Sequence, residues 1–497
     1  MQQTRVTWAN CLLFIRLYTS RFVVTFCPLN KINFKAICWW RYLLAAVGGL
    51  LLTLAFPNAG VAGFAWIAPG LILAAAFGTQ GWQAFRIGYV AGVVHFLTSI
   101  YWLLFIPFPA GAVGGWLALN LYLGLFIATW VWLCQRLAKR RFTGAELPLR
   151  EQFLQSAWID RTLWALSCAV FWVALEMLRA RFLSGFPWNF LGVSQHKLVP
   201  LIQIASTTGV YGVTFLLVWF SSSLLSLALV FIHKPTERRM WLSEILFPVA
   251  VTAAVFAWGT DRISKAPAPG RELKVALIQP SIPQELIFDP AETPNRFRTL
   301  MSLSANALAE KPQLLLWPEA ALPGLDKENY AAITNLIASQ RAWMILGADD
   351  AEYLPTETNY YNSSFLFGPD GNYVETYRKQ RLVAFGEYIP LEKWLPFIKY
   401  LTPIPGSFAA GKGPVPFELL DPPRHHCSAY LFRRCLSALR TRTRQSRHGY
   451  SFKPHERRLV RQERRAMATG HERCVSRRRK RHPAHPLHKQ WANLLGR

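Results

Sequence analysis

Seven apolar runs occupy the first 260 residues, and no other feature limits the chain as much. They lie at about 42–57, 61–79, 87–107, 114–135, 163–180, 209–232 and 243–259. Each approaches the roughly 20 residues that a helix needs to cross a bilayer, where backbone polar groups must be satisfied internally. A hydrophobic content of 52% with 20 Trp agrees with this reading. The expected layout is an N-terminal lead over residues 1–40, cytoplasmic or interfacial, then a transmembrane bundle of about seven helices over 41–260. The lead has its own apolar stretch, 11–27, but Arg16 and Arg21 interrupt it. Each costs about 2.5–3.5 kcal/mol near a helix centre. The lead shows no cleavable signal pattern.

The short loops orient this bundle. Arg136, Lys139, Arg140, Arg141 and Arg150 fall between the fourth and fifth runs, and Lys234, Arg238 and Arg239 between the sixth and seventh. The positive-inside rule then places the N-terminus in the cytoplasm. Seven crossings would deliver everything beyond residue 260 to the outer face, the periplasm of a Gram-negative cell. The expected location is therefore the bacterial cell inner membrane, multi-pass.

Two polar features break the apolar half. Glu176 lies within the fifth run, three residues before Arg179. An intramembrane carboxylate points to function, and an i, i+3 ion pair at the interface accounts for it equally well. The segment Ser184-Gly185-Phe186-Pro187-Trp188-Asn189-Phe190 follows on the outer side. Its aromatic residues suit an interfacial belt, or the mouth of a lipid site.

A net charge of +27 would usually indicate nucleic acid or an anionic surface as partner. Its distribution says otherwise. Residues 421–497 hold 21 Lys and Arg against four Asp and Glu, whereas the first 420 hold 34 against 24. The eight cysteines show neither disulfide-like nor ligand-like spacing. Cys11, Cys27, Cys38, Cys134 and Cys168 lie in or near apolar segments and read as packing residues.

After the short linker Ala266–Gly270 the composition changes. Residues 273–279 read as a buried strand, 293–310 as an amphipathic helix, and 313–317 as a strand ending near Glu319. A helix over 328–340 and a strand over 342–348 follow. Strands at about 360–367 and 372–377 are turned at Pro369-Asp370-Gly371. This alternation indicates an α/β domain over 272–420. Glu319 at the end of a strand, with Lys379 and Glu387 from a later loop, makes a set that can activate a nucleophile and steady an oxyanion. A structural ion-pair cluster would show the same spacing.

Val275–Gln279, Trp317-Pro318-Glu319 and Lys379–Glu387 together resemble the carbon–nitrogen hydrolase (nitrilase) superfamily. A nitrilase-like domain after a multi-span bundle resembles the apolipoprotein N-acyltransferase family, and Gly185-Phe186-Pro187-Trp188 resembles that family's loop after its fifth helix. The resemblance runs from about residue 41 to about 420. It implies an αββα sandwich with a Glu-Lys-Cys site: Glu319 as general base, Lys379 steadying the oxyanion, and Glu387 as the supporting acid. It implies transfer of an acyl chain, through a Cys thioester, from a phospholipid to the N-terminal amine of a diacylglyceryl-modified apolipoprotein. The implied enzyme needs no cofactor and no metal, binds no nucleic acid and acts as a monomer. Ala384 stands where the family usually carries Pro, so a looser turn is expected there.

The larger departure is the nucleophile, which is absent as written. The family continues with a strand reading like Leu-Ile-Cys-Phe/Tyr-Glu, and no such sequence follows residue 390. Cys427, Cys435 and Cys474 lack both the apolar run before and the Glu after. Read one nucleotide later, the degenerate codons of Ser428–Ser437 permit Leu-Leu-Ile-Cys-(Ser/Phe)-Glu-Asp-Val-Phe-Pro. The same offset at His482–Ala492 permits Ile-Pro-Leu-Ile-Arg-Cys-Thr-Asn-Asn-Gly-Leu, which resembles a later family segment. The expectation is a frameshift or sequencing error between about Phe417 and Ser428, with 421–497 an out-of-frame, disordered basic tail. It also accounts for the lack of the family's eighth span. The rival readings are a catalytically dead member that only binds lipid or lipoprotein, and a genuine basic-tailed membrane protein. In the latter Arg477–Arg481 would meet anionic lipid or nucleic acid, while His425, His426 and Cys427 lack a second metal-ligand pair. Asn362-Ser363-Ser364 fits a glycosylation sequon that a bacterial membrane setting makes incidental.

Overall fold

The computed structural model describes residues 34–421 and the strand 425–429, apart from 107, 143–146, 237, 267–271, 288, 356, 391, 393, 395–403 and 405. The lead over 1–33 and the tail from 430 onward, with Arg16, Arg21, Cys435, Cys474 and Arg477–Arg481, lie outside the described residues. So do the side chains of His425, His426 and Cys427.

The apolar half is helical: α1 (Phe34–Leu54), α2 (Ala68–Ala76), α3 (Gly81–Ser99), α4 (Pro109–Arg141), the short α5 (Leu149–Gln155), α6 (Trp158–Arg179), single turns α7 (Val199–Ile202) and α8 (Ala205–Thr208), then α9 (Val210–His233) and α10 (Arg238–Ser264). Among the described residues four stretches, against the seven runs expected, are long and apolar enough to cross a membrane: Gly111–Arg141, Trp158–Arg179, Val210–His233 and Trp241–Ser264. The apolar part of α1 is shorter, Trp39–Leu54. The second apolar run is not one helix. A 3-10 turn, Ala62–Trp66, precedes α2, whose nine residues begin with Pro69 near the first position. At 1.5 Å per residue α2 extends only about 14 Å. Arg41 closes its far end by donating to the Ala75 and Phe77 carbonyls, each at 2.9 Å.

Small residues and indoles hold these helices together. A Cβ on Gly88 of α3 would lie 2.8 Å from Val131 Cβ, and one on Gly92 would lie 2.8 Å from the Gly124 carbonyl oxygen, so α3 and α4 meet at backbone distance. Trp130 of α4 donates to the Cys168 carbonyl of α6 at 2.8 Å, while Trp164 of α6 donates to the Cys134 carbonyl of α4 at 3.0 Å. Both cysteines are fully buried, in agreement with their reading as packing residues.

The second half is a layered α/β domain. Its strands are β1 (Val275–Leu277), β2 (Leu314–Leu316), β3 (Trp343–Tyr353), β4 (Thr358–Phe367) and β5 (Tyr373–Arg378). They form one sheet in sequence order, with β1–β2–β3 parallel and β3–β4–β5 antiparallel. Among the helices here, α11 (Gln284–Ile287) is one turn, whereas α12 (Thr293–Ala309) and α13 (Lys327–Gln340) cover one face. Asp326 starts α13 by accepting from the Asn329 amide at 2.7 Å. The expected Pro-Asp-Gly turn is present, with Gly371 at φ 80° and a Cβ there only 2.6 Å from the Thr334 carbonyl oxygen.

Alternation along β2, β3 and β4 buries both faces, whereas β1 is an edge strand with Leu277 73% exposed and not the buried strand expected. Leu315, Met344, Leu346, Phe365 and Phe367 meet the helices. Leu314, Ile345 and Leu366 meet Phe417 and Leu419 of β6 (Phe417–Asp421) on the other side. β6 pairs antiparallel with β7 (His425–Ala429), beginning a second sheet. Helix layer, sheet and first strands of a second sheet are three of the four layers of an αββα sandwich.

Candidate active site

The cluster sits on the face of the sheet that looks toward the second sheet. Trp317 and Pro318 carry the chain off β2 into a tight turn in which Ala320 takes φ 51°. That turn lies directly on Gly347 of β3, where a Cβ would come within 2.5 Å of the Pro318 carbonyl oxygen and 2.9 Å of Glu319 Cα. Ala321 N–H donates to the Gly347 carbonyl at 3.0 Å. Glycine at 347 therefore fixes where Glu319 points.

Lys379 extends the β5 ladder by one residue, its amide donating to the Asn362 carbonyl at 2.9 Å. Its ammonium meets Glu319 Oε1 at 2.5 Å and also donates to Glu387 Oε1. The three residues singled out from the sequence thus converge, from positions spanning 319 to 387. Glu387 is held further by the Val383 amide, which donates to its Oε2 at 2.7 Å. The segment 407–411 fastens the same loop: Phe408 N–H donates to the Glu387 carbonyl and Gly411 N–H to the Lys379 carbonyl, both at 2.8 Å.

Two members escaped the sequence reading. Asn362 of β4, seen there only as part of a sequon, donates from Nδ2 to Glu319 Oε1 at 3.1 Å and to Glu387 Oε1 at 2.8 Å. It is 8% exposed, so its amide serves the cluster. Asp349 of β3 stands opposite Asn362 in the ladder. Burial, and then the negative charge of Glu387, push its carboxyl up to about 6. Strand alternation placed both on one face, but nothing in a single sequence marked them as polar members of a site.

The exposures differ in an informative way. Lys379 and Glu387 side chains are 15% and 12% exposed, whereas Glu319 is 65% exposed. The Lys379 ammonium lies between the two carboxylates, and Glu319 is the exposed one of the pair. Glu319 and Lys379 together can take a proton from an incoming nucleophile and stabilise a developing oxyanion. The turn at Ala384 is closed by hydrogen bonds from Phe385 N–H to the Tyr388 carbonyl and Glu387 N–H to the Val383 carbonyl, each 2.8 Å. Alanine there leaves the turn tight.

The membrane-side loop reaches this cluster. Ser184 Oγ lies 2.7 Å from the Tyr388 hydroxyl, one residue after Glu387. Glu176 does not use Arg179 as its hydrogen-bond partner. Its carboxylate accepts from Leu191 N–H at 2.8 Å, Trp172 Nε1 at 3.0 Å and Thr214 Oγ1 at 3.0 Å. Arg179 donates instead to the Asn189 carbonyl at 3.3 Å and lies over the Phe96 and Phe190 rings. Of the two readings that the spacing allowed, the i, i+3 pair is not the hydrogen-bonded one: Glu176 bonds Trp172 on its own helix and two groups beyond it.

Comparison with known proteins gives matches over both halves. A family model described as the apolipoprotein N-acyltransferase N-terminal domain matches residues 48–223, and one described as carbon-nitrogen hydrolase matches 274–422. The apolipoprotein N-acyltransferase of Geobacter metallireducens is 33% identical over 389 residues, 76% of this chain and 70% of that protein. That of Rickettsia prowazekii is 30% identical over 65% of this chain and 61% of its own length. That of Ralstonia nicotianae is 31% identical over 73% and 64%. Among solved structures, an amidase from Nesterenkonia sp. AN1 is similar over 32% of this chain and 56% of its own, at 18% identity and a TM-score of 0.22.

Proposed function

The chain belongs to the apolipoprotein N-acyltransferase family, and from that premise we propose that Glu319, Lys379 and Glu387 form the protein-borne part of a site for lipoprotein N-acylation. The observation that carries this reading is the Lys379 ammonium held between the two carboxylates, with Glu319 open to an incoming group. In the proposed reaction a cysteine thiol gives its proton to Glu319 and attacks the ester carbonyl of a phospholipid. Lys379 steadies the tetrahedral oxyanion, and the lysophospholipid leaves with the proton that Glu319 returns. The N-terminal amine of a diacylglyceryl-cysteine lipoprotein then attacks the thioester, giving a proton to Glu319 as the amide forms, and the departing thiolate takes that proton back.

The proposed site faces the outer side of the inner membrane. Support comes from the two ends of α6. Near its start, Arg141 of the basic α4 terminus bonds Asp160 at 2.8 Å. Beyond its end, Ser184 bonds Tyr388 of the α/β domain. The α/β domain and the basic loop therefore lie at opposite ends of a 22-residue helix, and the positive-inside rule assigns the basic end to the cytoplasm.

As written, the chain is proposed to be a silent member of its family. Cys134 and Cys168, the cysteines whose side chains are described as free thiols, are buried in the bundle. The proposed cause is a reading frame lost between about Phe417 and Ser428. Sequencing the coding DNA across codons 415–440 tests the frame directly. Incubation with phospholipid should yield an acyl-thioester only when the offset frame is restored, and Glu319→Ala or Lys379→Ala in the restored protein should abolish it. Thioester formation by the chain as written overturns the account of its tail. A restored cysteine strand that stays unacylated overturns the site assignment.

A further inference from the structure

The segment between α6 and the Leu191–Gln195 turn is unusually constrained for a surface loop. Leu183, Ser184 and Gly185 take φ 50°, 68° and 84° in succession, and Asn189 takes φ 51°. Left-handed backbone at non-glycine positions persists only where surrounding contacts enforce it. Here they do so from both ends. A Cβ on Gly185 would sit 2.1 Å from the Ala180 carbonyl oxygen, and Phe186 N–H donates to the Arg179 carbonyl at 2.9 Å. Arg179 holds the Asn189 carbonyl, while Glu176, buried within the bundle, holds Leu191 N–H and is itself tied to α9 through Thr214. Thr214 also accepts from Gly192 N–H at 2.9 Å.

At its outer tip this braced segment bonds Tyr388 of the α/β domain's site loop through the Ser184 hydroxyl. That loop is strained as well, with Phe385 at φ 63°, and its Val383 amide is what orients Glu387. The contacts form an unbroken path from a carboxylate inside the bundle to the carboxylate that holds Lys379.

We propose that residues 182–190 are a rigid strut, anchored by Glu176 and bonded to the α/β domain through Ser184 and Tyr388, that sets the Glu387 loop at a fixed height over the bundle. Glu176, Ser184 and Tyr388 are thus positioning residues. Their relevance to acyl transfer rests on the site assignment above, whereas the strut itself does not. A lipid-borne substrate enters at a depth fixed by the bilayer, so the Lys379–Glu387 pair must be held at a matching depth by an element rooted in the bundle.

The test is amide hydrogen exchange on the full chain in lipid nanodiscs, read on peptides covering 383–388 and 185–192. Ser184→Ala and Tyr388→Phe each remove one hydroxyl at the surface. Each should speed exchange at 383–388 by about fivefold to tenfold, the loss of roughly one hydrogen bond. Ser184→Thr keeps the hydroxyl and should restore the parent rate. Glu176→Gln loses one acceptor site, so it should speed exchange at Leu191 and also, through the strut, at 383–388. Acceleration confined to 185–192, or hydroxyl variants matching the parent, overturns the proposal. These readouts involve no catalysis, so their failure leaves the site assignment standing, and an inactive restored enzyme leaves the strut standing.

Discussion

Asn362 stands opposite Asp349 across the β3–β4 ladder and donates one amide group to both carboxylates that clasp Lys379. It is the neutral member that lets Glu319 and Glu387 approach one cation without a second. Asn362→Ala should therefore destabilise the α/β domain by about 1–3 kcal/mol, with the lower part of that range favoured by the exposure of Glu319. Asn362→Asp adds a further carboxylate and should lower the melting temperature more than Ala does at pH 7.5. Melting curves of the detergent-solubilised chain at pH 7.5 and pH 5 check this, since the Asp penalty should shrink as the facing Asp349, pushed up to about 6, takes on its proton.

Asp349 gives the domain a pH dependence of known sign. Its folded carboxyl holds a proton up to about 6, against an ordinary 3.8. The folded state therefore binds the proton more tightly than the unfolded chain. The resulting stabilisation is complete below about pH 4 and is lost as pH rises through about 6. Asp349→Asn removes the titration. The variant should melt above the parent at pH 7.5, with the gap narrowing toward pH 4. A gap that does not change across this window would show that Asp349 is ionised throughout.

Gly347 should accept no side chain. Alanine would place a methyl group 2.5 Å from the Pro318 carbonyl oxygen and 2.9 Å from Glu319 Cα, both backbone atoms. The Glu319 turn must move, at a cost of about 1–3 kcal/mol, and the Glu319–Lys379 contact should be lost with it. A lowered melting temperature for Gly347→Ala, and no further loss when Glu319→Ala is added, would place both residues in one unit.

The sequence carried the parts of this fold that repeat or punctuate. Apolar runs located the helices, and Pro369-Asp370-Gly371 located the hairpin turn. Glu319, Lys379 and Glu387 stood in motifs dense enough to recognise. What it hid were tertiary choices. Glu176 has a basic residue at i+3 but bonds groups 15 and 38 positions away. Asn362 and Asp349 share a face by alternation that any strand would show. The break in the second apolar run was signalled only by Pro69, a residue equally at home in the first turn of a longer helix.

Arg161 and Glu244 form a pair at 2.8 Å with each side chain 1% exposed, joining α6 to α10. Arg161 also donates to the Phe153 and Ser156 carbonyls, so its charge is tied to three elements. Removing one partner leaves an uncompensated buried charge, at a cost of about 3–5 kcal/mol. Arg161→Met alone, or Glu244→Leu alone, should therefore lower the melting temperature sharply. The double variant should recover a large part of the loss. A double variant no better than the worse single one would assign the cost to the carbonyl contacts of Arg161 instead.

The 65% exposure of Glu319, beside a lysine only 15% exposed, bears on the missing cysteine strand. Phe417 and Leu419 of β6 cover the lower part of this sheet face, against Leu314, Ile345 and Leu366. Glu319 lies beyond them, where the next strands of a second sheet would lie. If the offset frame supplies that strand, its cysteine arrives within reach of the carboxylate and its flanking apolar residues close over it. Carbodiimide coupling of an exposed amine probe should therefore modify Glu319 readily in the chain as written. In the frame-restored protein the same residue should be protected several-fold, while the exposed Glu310 reacts equally in both and serves as the control. Equal labelling of Glu319 in the two proteins would mean that the restored segment does not cover the site.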